Sequence, residues 1–403
     1  MSEPLVVIGN GMAAARFCEE LTDRAPGRYA VTVVGAEPHL AYNRVLLSSV
    51  LAGEMPAQAV ELRPAAWWRA RGVTLICGRP ALAVDLGTRE VRLGDGQALP
   101  FAHLVLATGS HPLRPPLPGI DLPGVRTFRD LADVEALLAA ARPGTRAVVI
   151  GGGLLGLEAA SGLNGAGAHT TVVHLADRLM ERQLDARAAA LLKAAVEARG
   201  IAVELGASTQ AIEGEHRVEA LRLADGQRLP ADLVVVACGV RPNADLARAA
   251  GIGCGRGVLV DDGLAGSVPG VHAIGECAEH RGQVYGLVEP AYEQARVLAR
   301  RLAGEDTAYQ GSVTATNLKV SGVHVFSAGD FLGGEGSQDM VLHDPGLGLY
   351  RRLVLHEGRL TGAVLFGDTA DGLFFLDLIR SGRDIGAHRA DLPFGRTYLA
   401  EAA

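Results

Sequence analysis

An α/β fold is predicted for this 403-residue chain: two doubly wound parallel sheets in tandem, followed by a smaller α+β unit. Three observations carry the prediction. Two glycine-rich turns, Gly9-Asn10-Gly11-Met12-Ala13-Ala14 and Gly151-Gly152-Gly153-Leu154-Leu155-Gly156, each follow a short apolar run and open a helical pattern. A hairpin and strand recur, Asp95-Gly96-Gln97-Ala98-Leu99-Pro100 leading into Leu104 to Gly109, and Asp225-Gly226-Gln227-Arg228-Leu229-Pro230 leading into Leu233 to Gly239. From about residue 311 the pattern changes to alternating strands and turns (Val323 to Phe326, Leu349 to Leu355, Leu360 to Phe366) and then an apolar helix, Gly372 to Arg380.

The glycine turns have a specific physical reading. The first glycine permits a tight turn, and the second lets backbone approach a pyrophosphate. The third small residue allows close helix–strand packing over a helix N-terminus. Gly9, Gly11 and Ala14 fill these positions in the first turn; Gly151, Gly153 and Gly156 fill them in the second. One such motif is weak evidence, but two on one chain predict two bound dinucleotides. A flavin with a nicotinamide is the pairing with a chemical rationale, because one accepts the hydride that the other gives up. The hairpins lie 130 positions apart (95 and 225) and the glycine turns 142 apart (9 and 151), as two related Rossmann-like units of slightly different length would give.

In chain order, the first unit reads as strand 5–8, helix 12–22 and strand 30–34, ending at Glu37. That is the place for a carboxylate that accepts the ribose hydroxyls of an adenosine. Arg44 follows, facing either a pyrophosphate or flavin, or a surface ion pair. The proline-rich segment Ser110 to Gly119 marks a linker. The second unit ends at Gly239-Val240-Arg241-Pro242-Asn243, and Val271 to Glu276 then reads as a short strand closing on a glycine and an acid, Gly275 and Glu276. The expected division is 1–112 with 244–310 for the first dinucleotide domain, 113–243 for the second and 311–403 for the C-terminal domain.

Composition excludes several classes. The chain is 48% hydrophobic and 4% aromatic with a net charge of −7, so it is neither disordered nor fibrous. No basic cluster interleaves with aromatics, and no nucleic-acid partner is expected. No apolar run approaches membrane-spanning length and the N-terminus lacks a basic leader, so a cytoplasmic protein with no membrane partner is expected. Cys18, Cys77, Cys238, Cys254 and Cys277 are too far apart for a dithiol, a cluster or a metal-ligand run. No metal site is expected; Cys18 and Cys238 read as packing residues.

The order of glycine turn, Glu37, Ala107-Thr108-Gly109, second glycine turn, Gly239 to Asn243 and Ala273 to Glu276 resembles the two-dinucleotide flavoprotein family with the glutathione-reductase-like fold, over the whole chain. Within it, Tyr42-Asn43-Arg44, Val173-His174-Leu175, Leu179 to Asp185, Gly275 to Gly282 and Leu318 to Gly322 are similar to the N-terminal flavoprotein part of NAD(P)H-dependent assimilatory nitrite reductase. The resemblance implies FAD on Gly9, Gly11, Ala14, Glu37, Ala107, Thr108, Gly109 and Glu276. It implies NAD(P)H on Gly151, Gly153 and Gly156, with Glu158 beside the nicotinamide as the candidate catalytic residue. His174 stands where NAD-preferring relatives carry a ribose-binding acid. Asp177 is the alternative acid, Arg178 and Arg182 are alternative anchors for a 2′-phosphate, and NADH is favoured on resemblance alone.

Departures matter too. The region after Glu37 lacks the cysteines of the disulfide reductases, so no redox-active disulfide is expected. Thr314 to Asn317 replaces the Trp-Ser-Asp-Gln stretch usual in ferredoxin reductases of monooxygenase systems. No cluster or sirohaem module follows, as if the flavin part stood as an independent protein. The expected function is transfer of electrons from NAD(P)H via FAD to a separate metalloprotein, a sirohaem nitrite reductase or molybdenum nitrate reductase, with docking through the C-terminal domain near Lys319. A ferredoxin or rubredoxin reductase, or an NADH-binding flavoprotein sensor acting through association, are the alternatives.

Overall fold

The strand Glu3–Ile8 lies at the centre of a parallel sheet because its side chains are needed on both faces. Leu5 and Val7 join a core with Phe17, Leu21, Val31, Val105 and Leu298, while Val6 and Ile8 join another with Leu104, Leu106, Val258 and Val271. A strand buried on both faces reads as an unbroken apolar run rather than an alternation. The computed structural model describes residues 2–320 and 322–397, without the side chains of Lys319 and Val320. The Lys319 side chain expected at a docking surface therefore lies outside the described residues.

The chain divides into two compact units: Met1–Leu47, Pro56–His111 and Val240–Ser312 form one, and Ser48–Met55, Pro112–Gly239 and Val313–Ala403 form the other. In the first, the sheet runs Val271–Ala273, His103–Leu106, Glu3–Ile8, Tyr29–Val34, Thr74–Ile76, every pairing parallel. The helix Met12–Arg24 and the helix Val288–Leu302 contribute to the same core. In the second, the order is Ala202–Glu204, His169–Val173, Arg146–Ile150, Leu233–Val236, Val125–Thr127, again all parallel.

The predicted repeat is visible down to strand register. Glu90, Val91 and Arg92 pair with Pro100, Leu99 and Ala98; Ala220, Leu221 and Arg222 pair with Pro230, Leu229 and Arg228. Each hairpin extends to a third antiparallel strand that carries a bulge. The extra length of the first copy falls between its second and third strands, 34 to 74 against 173 to 202, where short helices including Leu47–Leu51 and Ala65–Ala70 are inserted.

The second unit also holds an antiparallel sheet in the order Ala315–Val320, Val323–Gly329, Arg359–Phe366, Leu349–His356, Gln338–Asp344. The helix Gly372–Ser381 contributes Phe375, Leu376 and Leu378 to a core with Phe326, Leu353 and Leu365. The expected α+β tail is present, but its outer strand Gln338–Asp344 was invisible in sequence. It is an edge strand with no buried residue, so it has no apolar alternation to read. One expectation is corrected in part: Cys238, two residues past the strand Leu233–Val236, is exposed as a residue, while its thiol turns inward and donates to the Ile150 carbonyl at 3.4 Å. Among the described residues, no helix is long and apolar enough to cross a membrane.

Candidate active site

The first glycine cradle is built where the central strand of the first unit ends. Gly9 has φ of +114°, and a Cβ there would lie 2.0 Å from the Ala107 carbonyl oxygen, so only glycine fits. Gly11 differs in kind: it caps the helix Met12–Arg24 in an extended conformation, no side chain accepts its first amides, and a Cβ there would meet nothing within 4 Å. An uncapped helix N-terminus with open space before it is a site for an anion. Ala14 is fully buried, as the third position of the motif requires. Asn10 ties the cradle to the following loop through Nδ2, which donates to the His39 carbonyl at 3.2 Å, while its Oδ1 is buried without a donor.

Two later segments close on this cradle. Thr108 donates to the Asn243 carbonyl at 2.6 Å, and Asn243 Nδ2 donates back to the Thr108 carbonyl at 2.8 Å. The Asn243 amide also donates to the Gly109 carbonyl at 2.9 Å. Gly109, at φ of +68°, faces open space. Gly275, at φ of +79°, packs so closely that a Cβ would lie 3.1 Å from that of Ala13, and its amide donates to the buried Gln294 side chain at 2.7 Å. Glu276 accepts from the Ser110 hydroxyl at 2.7 Å. Glu37 stands beyond the second strand, accepts from the Tyr42 hydroxyl at 2.6 Å and pairs with Arg44, whose guanidinium sits over the Tyr42 ring. The Arg44–Glu37 pair is half-buried.

The second unit repeats the construction. Gly151 has φ of +125°, and a Cβ there would lie 2.3 Å from the Ala237 carbonyl oxygen. A Cβ on Gly156 would lie 1.9 Å from the Gly151 carbonyl oxygen. Gly153 caps the helix Leu154–Gly165 without any side-chain partner and, like Gly11, faces open space. Gly239, at φ of +113°, is open as well. Glu158 lies one turn into this helix and is 9% exposed; burial pushes its carboxyl up to about 8. It is therefore mostly protonated at neutral pH.

His174 follows the second strand of this unit, but its ring faces the glycine turn. Nδ1 accepts from the Gly152 amide at 3.0 Å, which assigns the ring proton to Nε2, and Nε2 lies 3.0 Å from Glu181 Oε2. Asp177 points to solvent and pairs with Arg178 at 3.2 Å; Arg182 is exposed, its Nε 3.9 Å from Glu181. Asn10, Ser110, Asn243 and Glu181 were not singled out from sequence. Asn243 had a signal, as the last residue of the Gly239 to Asn243 motif, and Glu181 lies within the Leu179 to Asp185 segment that carries the resemblance, though too far along the chain from its strand for spacing to give it a role.

The five cysteines of the sequence are all free in the structure, and burial raises each thiol, Cys18 to about 12. Thiolate chemistry is unfavoured at every one.

Residues 3–295 match the family described as pyridine nucleotide-disulphide oxidoreductase, and residues 315–383 match the rubredoxin NAD+ reductase C-terminal domain. The chain belongs to the pyridine nucleotide-disulphide oxidoreductase family. Its similarity to that family's members is high: it is 45% identical over 382 residues to a nitrite reductase [NAD(P)H] of Bacillus subtilis (strain 168), covering 94% of this chain and 48% of that one. It is 40% identical over 382 residues to the assimilatory nitrate reductase electron transfer subunit of the same organism, covering 94% of this chain and 50% of that one. The chain thus spans about half the length of these relatives. A ferredoxin reductase for the CYP199A2 system from Rhodopseudomonas palustris superposes with a TM-score of 0.89 at 29% identity, each chain covered in full. As a member of the family, the chain is an oxidoreductase that uses FAD and NAD(P)H. Its residues fit them: two uncapped helix N-termini stand behind glycines with open space, and the buried Asn10 Oδ1 still lacks a donor.

Proposed function

We propose that this oxidoreductase takes electrons from NADH and delivers them to a separate metalloprotein, a sirohaem nitrite reductase or a molybdenum nitrate reductase, in the cytoplasm. The observation that carries the reading is the duplicated cradle, Gly9-Gly11 and Gly151-Gly153, on a chain whose five cysteines are free and whose thiols burial raises. In this reading residues 1–112 and 244–310 bind FAD, 113–243 bind the nicotinamide coenzyme, and 311–403 form the C-terminal domain. Gly9, Gly11 and Ala14 hold the FAD pyrophosphate, Glu37 its adenosine ribose, and Glu276, Gly275 and the Ala107–Gly109 loop its polyol chain and ring. Arg44 fixes the Glu37 carboxylate. Gly151, Gly153, Gly156 and Gly239 hold the coenzyme, and Glu158, protonated below about pH 8, offers a neutral hydroxyl to the carboxamide. FAD supplies hydride acceptance and stepwise release of electrons.

Support for the acceptor comes from the nitrite and nitrate reductase relatives. The likeness to a ferredoxin reductase keeps a small iron–sulfur protein as the second reading. With NADH, the isolated protein is expected to reduce ferricyanide but neither nitrate nor nitrite, and to support nitrite or nitrate reduction once a metal-bearing partner is added. Unaided nitrite reduction would contradict the electron-donor role. Efficient transfer to a ferredoxin or rubredoxin alone would establish the second reading.

A further inference from the structure

Coenzyme selection requires an acceptor for the adenosine ribose near the end of the second strand of a dinucleotide fold, and in the second unit that strand ends on Val173 with a histidine after it. An imidazole cannot accept from both ribose hydroxyls. The structure supplies a carboxylate from elsewhere. The loop from 174 turns back on the glycine motif: the Met180 amide donates to the Gly152 carbonyl at 3.0 Å, with Met180 at φ of +50° and both Leu179 and Met180 buried. This delivers the next residue, Glu181, to the His174 ring. His174 is held from the other side, its Nδ1 accepting from the Gly152 amide, and its backbone is fixed by bonds to Glu204 and Ala207. Its Nε2–H holds one oxygen of Glu181 at 3.0 Å, and the carboxylate remains one-third exposed.

From this geometry we infer that Glu181, positioned by His174, is the carboxylate that accepts the ribose hydroxyls of the nicotinamide coenzyme and makes the site selective for the form without a 2′-phosphate. The inference rests on the second glycine turn being a nicotinamide-coenzyme site. Glu181 thereby takes the role left open between His174 and Asp177. Asp177 is largely exposed and engaged with Arg178. The carboxylate repels a 2′-phosphate by charge, while His174, whose outward proton is already given to Glu181, offers no donor to one.

The test uses the FAD-loaded protein and calorimetric binding of ADP-ribose and of 2′-phospho-ADP-ribose, which needs no turnover. The wild type is expected to bind ADP-ribose and discriminate against the phosphorylated form. Glu181→Gln should weaken ADP-ribose about tenfold and narrow the preference by about a hundredfold, the scale of a lost charge-assisted pair plus relief of repulsion. His174→Leu should narrow the preference in the same direction, and His174→Gln, whose amide reaches the Nε2 position, should restore it. Asp177→Asn should leave both constants as they are. An unchanged preference in Glu181→Gln, with the wild type still binding ADP-ribose, would overturn the assignment of Glu181 and leave the dinucleotide site standing. No binding of ADP-ribose by the wild type would overturn both.

Discussion

Gly11→Val is expected to give a folded protein that no longer retains FAD, and Gly153→Val a folded, yellow protein that has lost NADH. Both positions are extended, with φ of −105° and −82°, so a β-branched residue meets no backbone strain there. Neither has an atom within 4 Å of the position of a new Cβ. The added bulk therefore fills only the space before the helix N-terminus, and a dinucleotide held there should lose at least about a hundredfold in affinity. Gly9→Ala makes the contrast. Its Cβ would lie 2.0 Å from the Ala107 carbonyl oxygen at a φ of +114°, so this variant should be destabilised outright. Flavin retention after gel filtration, NADH binding and melting temperature separate the three variants. Retention of both cofactors in both valine variants would show that neither cradle receives a pyrophosphate.

Glu158→Gln should stabilise the protein at neutral pH and remove a pH dependence. The Glu158 carboxyl goes from about 4.5 when exposed to about 8 in the fold, so the folded state binds the extra proton. Stability is thus full below about 4.5 and falls as pH rises toward 8. At pH 7 the loss is about 3 kcal/mol, and glutamine, which does not ionise, escapes it. The variant should melt above the wild type at pH 7 and level with it in mild acid. If Glu158 lies beside the nicotinamide, the rate of flavin reduction by NADH should also lose an inflection near pH 8. Equal melting temperatures at pH 7 would mean that Glu158 is solvated in solution.

The parts of this fold legible in sequence were those written by backbone requirements. A glycine turn after an apolar run has one physical use, and the Asp-Gly-Gln hairpin fixed the repeat closely enough that paired residues recur 130 positions apart, as Glu90 with Pro100 and Ala220 with Pro230 show. Side-chain networks were less legible. The Asn243 amide joins the two loops around Thr108, and the His174 ring meets Glu181 at 3.0 Å, because the chain folds back on itself; neither contact has a periodicity or spacing that sequence could display. Edge strands such as Gln338–Asp344 escaped for the opposite reason, since little there is buried.

The most direct test of the whole account is an anaerobic titration of the FAD-loaded protein with NADH, followed by flavin absorbance. The flavin is expected to bleach fully with a single equivalent of NADH and take up no more, because the five thiols are free and form no disulfide to fill. Uptake of a second equivalent would place a redox-active disulfide in the path, and no bleaching would contradict the transfer of hydride from NADH to FAD on which everything else depends.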